Sequence, residues 1–236
     1  MGGIKWFVTT FFSGVYSMFF LPSLPFLLIS LLHIFGEVID SRTIRHISKP
    51  FLIPLLALFY FNSAPSVSPL LVAALAGGWL GDLFLMVPDR GEQKTWFKLG
   101  LVFFLLGHIF YVGAFFMKGR LSGLPLIGVV LAAGFLLFGL IVFLKMKDFM
   151  GKLFIPVTLY ISVIALMGAS TTLCFSTQAT RAVTLAVSGA LIFMISDTMN
   201  AWNRFVEEIP HERVLTMTTY LAGQFLLILG FVQFAG

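Results

Sequence analysis

The chain has 236 residues, of which 59% are hydrophobic and only 11% charged, and its mean hydropathy is +1.01. Soluble domains are nearer half apolar and a quarter charged, so a water-soluble enzyme, a nucleic-acid-binding domain and a disordered regulator are excluded. Fifteen basic against ten acidic residues give +5, but charges scattered sparsely along an apolar chain set membrane topology, not a nucleic-acid footprint. The single cysteine, Cys174, excludes an internal disulfide and a multi-cysteine metal site. A membrane-spanning helix takes roughly 20 apolar residues, which leaves room for about eight with short loops. The expected fold is therefore all-α, a polytopic membrane protein whose residues 1–236 form one transmembrane helical domain.

In chain order, the first 36 residues are apolar nearly throughout and are broken by Pro22 and Pro25. That run is too long for a cleaved signal peptide. It predicts a first membrane helix with a hydrophobic, interfacial lead-in. A polar stretch follows from Glu37 to Lys49, in which Glu37 and Asp40 read as a solvated loop. Further spans are expected near 50–63, 67–87, 98–117, 122–144, 152–174, 181–202 and 213–235. The span at 50–63 is short and carries Pro50 and Pro54, which predicts a kink or a tilt. Breaks fall at 62–65, 87–91, 122–125 and 208–210, all marked by proline.

Lysine and arginine set the sidedness. The loops after helices one, three, five and seven hold eleven of them, among them Arg42, Arg45, Lys49, Arg204 and Arg213; the other side holds Lys5, Lys118, Arg120 and Arg181. Eleven against four predicts that the first set is cytoplasmic and that both termini lie on the other side; a separate span in the lead-in would move only the N-terminus. Asp82 near the end of helix three echoes Asp197 in helix seven, and Lys49 with Pro54 echoes Lys152 with Pro156. Four helices separate each pair, which would make the halves two parallel four-helix repeats.

Ionisable groups inside membrane helices are costly and mark function by default. Here they are few and agree in depth. Asp82 and Asp197 lie near one membrane face, Tyr160 and Tyr220 come next, and His108 and Gln224 lie near the bilayer centre. His108 and Tyr111 share a helix face, as do Tyr220 and Gln224, and Asn200 and Arg204 follow Asp197 along one face. The pattern suggests a polar pocket open to the cytoplasmic leaflet. Each residue also has a plain structural reading: an aspartate pairing with a loop lysine, a histidine bonding a neighbouring helix, a tyrosine packing. No G-x-S-x-G elbow, H-E-x-x-H pair, P-loop or dinucleotide fingerprint occurs, and the histidines at 33, 46, 108 and 211 show no i, i+4 pairing. No metal site and no cofactor are expected. Carboxylate acid–base chemistry remains.

At these residues the chain resembles the YhhN-like membrane family, the lysoplasmalogenases. The stretches that carry the resemblance are 81–86, 107–111, 188–197 and 203–205, with Tyr220, Gln224 and Lys49-Pro50. Asn200 departs from the family's usual apolar residue, and the N-terminal lead-in is not diagnostic. The resemblance implies hydrolysis of the vinyl-ether bond of a lysophospholipid, giving a fatty aldehyde and glycerophospho-ethanolamine or -choline. An enol ether is cleaved by protonating carbon, so the reaction needs a positioned acid and negative charge beside an oxocarbenium ion, as in glycoside hydrolysis. Asp82 and Asp197 are the expected pair, acid and base unassigned, with His108 as a third catalytic group. Tyr111, Tyr160, Tyr220, Gln224, Asn203, Lys49 and Arg204 are the expected substrate contacts, the two cations at the lipid phosphate. The alkenyl chain would run between helices among membrane lipids of a bacterial inner membrane or the endoplasmic reticulum. A proton-coupled transporter and a non-catalytic lipid-binding protein are the alternatives. The clustering of polar groups near one face argues against a path across the bilayer.

Overall fold

The computed structural model describes residues 2–88 and 94–234, with side chains described from residue 19 onward. Arg90 and most of the break expected at 87–91 lie outside the described residues, as does the side chain of Lys5. The helices are α1 (Gly2–Val38), α2 (Arg42–Ser63), α3 (Pro69–Met86), α4 (Thr95–Lys118), α5 (Leu126–Met146), α6 (Phe154–Thr172), α7 (Thr180–Phe205) and α8 (Glu212–Phe231). Among the described residues there is no strand, and eight helical segments are long and apolar enough to cross a membrane, the first covering Phe19–Val38. The chain is an all-α, multi-pass membrane protein.

The main departure from expectation is at the polar stretch. Residues 42–49 are not loop but the first two turns of α2, begun by an extended Ser41 whose side chain faces the Ile44 amide at 3.5 Å. A helix that projects beyond the lipid can be polar and still be helix. Glu37 is likewise not in a solvated loop. It belongs to the last turn of α1, and its side chain is only 7% exposed, beside Arg45. Asp40 does stand in the turn, in the left-handed region at φ 52°. There Arg45 and Arg213 converge on its carboxylate at 2.6 and 3.2 Å, and the hydrogen bond from Arg45 holds that carboxyl below its usual range. At the start of α5, Pro125 precedes the first helical residue, so the helix begins later than the hydropathy suggests.

The pairs α1–α2, α3–α4, α5–α6 and α7–α8 pack side by side, α3–α4 and α7–α8 most extensively, while among the described residues α4 packs on α6 and not on α5. Small residues let their backbones touch. A Cβ on Gly77 would fall 2.7 Å from Gly107 Cα, and one on Gly189 would fall 2.4 Å from the Leu227 amide nitrogen and 2.8 Å from the Gly223 carbonyl. Outward faces are apolar, with Leu28, Leu31 and Phe35 on α1 and Val130, Leu137 and Leu144 on α5 all exposed. On a soluble protein such a surface would aggregate; here it is the lipid-facing belt.

Proline shapes α2 in a useful way. Pro54 has no N–H to give the Pro50 carbonyl four residues earlier, and the Trp79 indole of α3 takes that carbonyl instead, at 2.9 Å. The backbone bond lost within one helix is thus replaced by a bond between two.

Candidate active site

Six helices converge on a cavity of about 110 Å³. From α3 comes Asp82, and from α7 come Asp197, Asn200 and Arg204, spaced so that one helix face carries all three. Tyr160 on α6 and Tyr220 on α8 supply hydroxyls, and Lys49 enters from α2. Phe97, Leu101 and Phe104, one stripe of α4, form an apolar wall.

The two carboxylates have different company. Asp82 is 3% exposed; Lys49 Nζ stands 3.3 Å from its Oδ1, and the Tyr220 hydroxyl donates to its Oδ2 at 2.8 Å. Asp197 accepts a short hydrogen bond from the Tyr160 hydroxyl at Oδ2. Among the described residues no cation lies within ion-pair distance of Asp197. The Arg204 guanidinium lies instead over the Phe97 ring, 3.5 Å from its centroid. One acid is therefore neutralised by an ammonium, while the other has only a hydroxyl.

Other expected site residues stand off the cavity wall. His108 packs edge-on behind Tyr160, ring centroids 5.4 Å apart, and against Phe193 at 5.1 Å. Its Nδ1 donates to the Phe104 carbonyl at 2.6 Å, which leaves Nε2 a buried acceptor without a partner. Tyr111 donates to Gln224 Oε1 at 2.7 Å, tying α4 to α8. Asn203 accepts from the Ile209 amide at 2.8 Å and so closes the turn between α7 and α8. Among the described residues no three His, Cys, Asp or Glu side chains are grouped to hold a metal ion.

Above the cavity lies a wider vestibule of about 570 Å³, which shares Lys49, Phe97, Asn200 and Arg204 with it. Arg42, Arg45, His46 and Arg213 add to its rim, and Glu37 and Glu212 face the same space. Sequence reasoning missed this chamber. The signal available was His33 one turn before Glu37 inside an apolar helix, where ionisable groups are expensive. It also missed Ser196, whose hydroxyl bonds the Thr216 carbonyl at 2.8 Å and fixes α7 against α8 beside Asp197.

The fold and site define a polytopic membrane protein with two carboxylates in a small, mostly apolar cavity beneath a basic vestibule. The chain belongs to the YhhN family, whose model matches residues 44–231. It is similar to Lysoplasmalogenase TMEM86A of Homo sapiens, 36% identical over 160 residues, covering 65% of this chain and 61% of that protein. It is also similar to Lysoplasmalogenase TMEM86B of Sus scrofa, 30% identical over 188 residues, covering 77% of this chain and 73% of that one. The match to TMEM86A of Bos taurus, at 32% identity, likewise spans 61% of its length. No solved structure matches the chain.

Proposed function

We propose that the protein is a lysoplasmalogenase, hydrolysing the vinyl-ether bond of 1-alkenyl lysophospholipids to a fatty aldehyde and a glycerophospho-alcohol. The observation that carries this is the unequal pair of carboxylates in one apolar cavity. Asp197, with no cation among the described residues at ion-pair distance, is the proton donor, and it delivers its proton to the β-carbon of the enol ether. The oxocarbenium ion that forms meets the negative charge of Asp82, oriented by Lys49 and Tyr220. Water adds to the cationic carbon and loses its proton to the Asp197 carboxylate, which is restored for the next cycle. The hemiacetal then breaks its bond to the glycerol oxygen, releasing aldehyde and alcohol with one water consumed.

The surroundings suit such a substrate. Phe97, Leu101, Phe104 and Val157 offer the alkenyl chain an apolar wall, and the vestibule cations offer the phosphate charge-assisted hydrogen bonds. Those cations belong to the basic loop set, so the vestibule opens to the cytoplasmic leaflet and both termini lie opposite. His108, behind Tyr160, positions that tyrosine's ring and is not itself a contact to the reacting atoms.

The test is aldehyde release from lysoplasmenylethanolamine and lysoplasmenylcholine by purified protein in detergent, with and without chelator. The wild type releases aldehyde in both conditions, and Asp197→Asn loses about a hundredfold or more while remaining folded. A wild type inactive on both lipids overturns the reading.

A further inference from the structure

His33 and Glu37 stand one turn apart on α1, ahead of the residues that match the family model, and both line the vestibule. His33 is fully buried and the Glu37 side chain is 7% exposed. Ser48 donates its hydroxyl proton to the Ile44 carbonyl at 2.7 Å, so its oxygen accepts from His33 Nδ1, also at 2.7 Å. That bond fixes the proton on Nδ1 and leaves Nε2 as an acceptor. Among the described residues Nε2 has no hydrogen-bond partner, and Glu37 Oε1, another acceptor, lies 3.6 Å from it. Glu37 Oε2 is also buried without a hydrogen bond. Arg45 Nη1 forms an ion pair with it at 3.5 Å but makes its short hydrogen bond to Asp40, at 2.6 Å. The other vestibule acid, Glu212, is already satisfied by the Thr216 hydroxyl at 2.7 Å.

Buried acceptors without donors are rare in folded proteins and call for an explanation. Two of them one helical turn apart, one belonging to a carboxylate, match a ligand that brings both N–H donors and positive charge. A primary ammonium has three N–H groups. A quaternary ammonium has none and is held by aromatic faces, and among the described residues the phenyl ring that lines the vestibule, Phe97, already carries the Arg204 guanidinium.

We propose that His33 and Glu37 form an ammonium subsite that selects a primary-amine head group, ethanolamine over choline, on the lysophospholipid. This rests on the lysophospholipid reading of the cavity and gives the head group a direction. Moving outward from Asp82 and Asp197, the site offers acid–base groups, then the Lys49 and Arg204 cations, then the Glu37 carboxylate. A lysophospholipid offers its enol ether, its phosphate and its amine in the same order. Glu37 and His33 are thus specificity residues contributed by a helix outside the matched region.

The experiment measures binding of two uncleavable lipids, 1-O-alkyl-glycerophosphoethanolamine and its choline counterpart, to the full chain in detergent. The wild type binds the ethanolamine lipid about tenfold more tightly or better, and Glu37→Gln brings the two within about twofold. His33→Gln, which reaches the vestibule from the same helix, lowers the ratio as well and guards against a folding artefact of either variant. Equal binding of both lipids by the wild type, or a ratio that neither variant changes, overturns the subsite. Selective binding lost in Glu37→Gln, but without aldehyde release from the alkenyl analogues, keeps the subsite and sinks the hydrolase. Turnover of both alkenyl lipids with equal KM does the reverse.

Discussion

In the α3–α4 hairpin, Gly77 lies against Gly107, and Asp82 further along α3 meets an ammonium and a tyrosine hydroxyl. In the α7–α8 hairpin, Gly189 lies against Gly223, and Asp197 further along α7 meets a tyrosine hydroxyl alone. Each hairpin also follows a contact glycine with a polar residue, Gly107 with His108 and Gly223 with Gln224. The two hairpins share a way of bringing backbones together and differ in the charge delivered beside the carboxylate. On the proposed reading, one added lysine, entering from α2, turns like-positioned acids to unlike tasks. Two carboxyls in one cavity need such a difference if one is to give a proton while the other stays anionic.

The comparison breaks most visibly at the aspartates. Asp197→Asn is expected to lower kcat/KM for aldehyde release by about a thousandfold, and Asp82→Asn by about a hundredfold. A reversed order would assign the proton to Asp82. Lys49→Gln should cost roughly tenfold, and that cost should shrink in an Asp82→Asn background to the part Lys49 contributes at the phosphate, since the two also act as one pair. A double-mutant cycle reads this directly. Tyr160→Phe and Tyr220→Phe each remove one hydrogen bond to a carboxyl group and should cost about tenfold or less. The smallest activity effects are expected in the scaffold, where stability is the sharper measure. Gly189→Ala drives a methyl into the α8 backbone and should lower unfolding free energy by about 1–3 kcal/mol. Gly78→Ala meets nothing nearer than Gln224 Nε2 at 3.8 Å and should shift it little. Thermal unfolding in detergent distinguishes the two.

The eight spans were legible because a membrane helix declares itself by length and by the rarity of charge. That Asp82, Asp197, Tyr160, Tyr220, Lys49 and Arg204 line one cavity was legible for the same reason, since polar groups at matching depth in lipid have few places to face. The start of α2 was not, because its first two turns stand outside the lipid and look like loop to hydropathy. Nor was the distance between His108 and the cavity. Each residue turns a helix by about 100°, so a small rotation of α4 decides whether an imidazole lines a pocket or backs a tyrosine. Asn203 reads as polar near a site, yet its carbonyl is consumed by the Ile209 amide, a bond that only the path of the loop determines. The pairing of Lys49 with Asp82 depends on how α2 crosses α3, and the contact that sets this crossing involves a tryptophan and a proline.

That contact works as an alignment peg. Trp79 lies one turn before Asp82 on α3, and the carbonyl it holds belongs to Pro50, next in sequence to Lys49. The gap left by Pro54 therefore sets the height at which the ammonium meets the acid. Sliding that proline by a single position would swing the open carbonyl about 100° around the helix, out of the indole's reach. The counter-ion would then lose its fixed seat although neither charged residue had been touched.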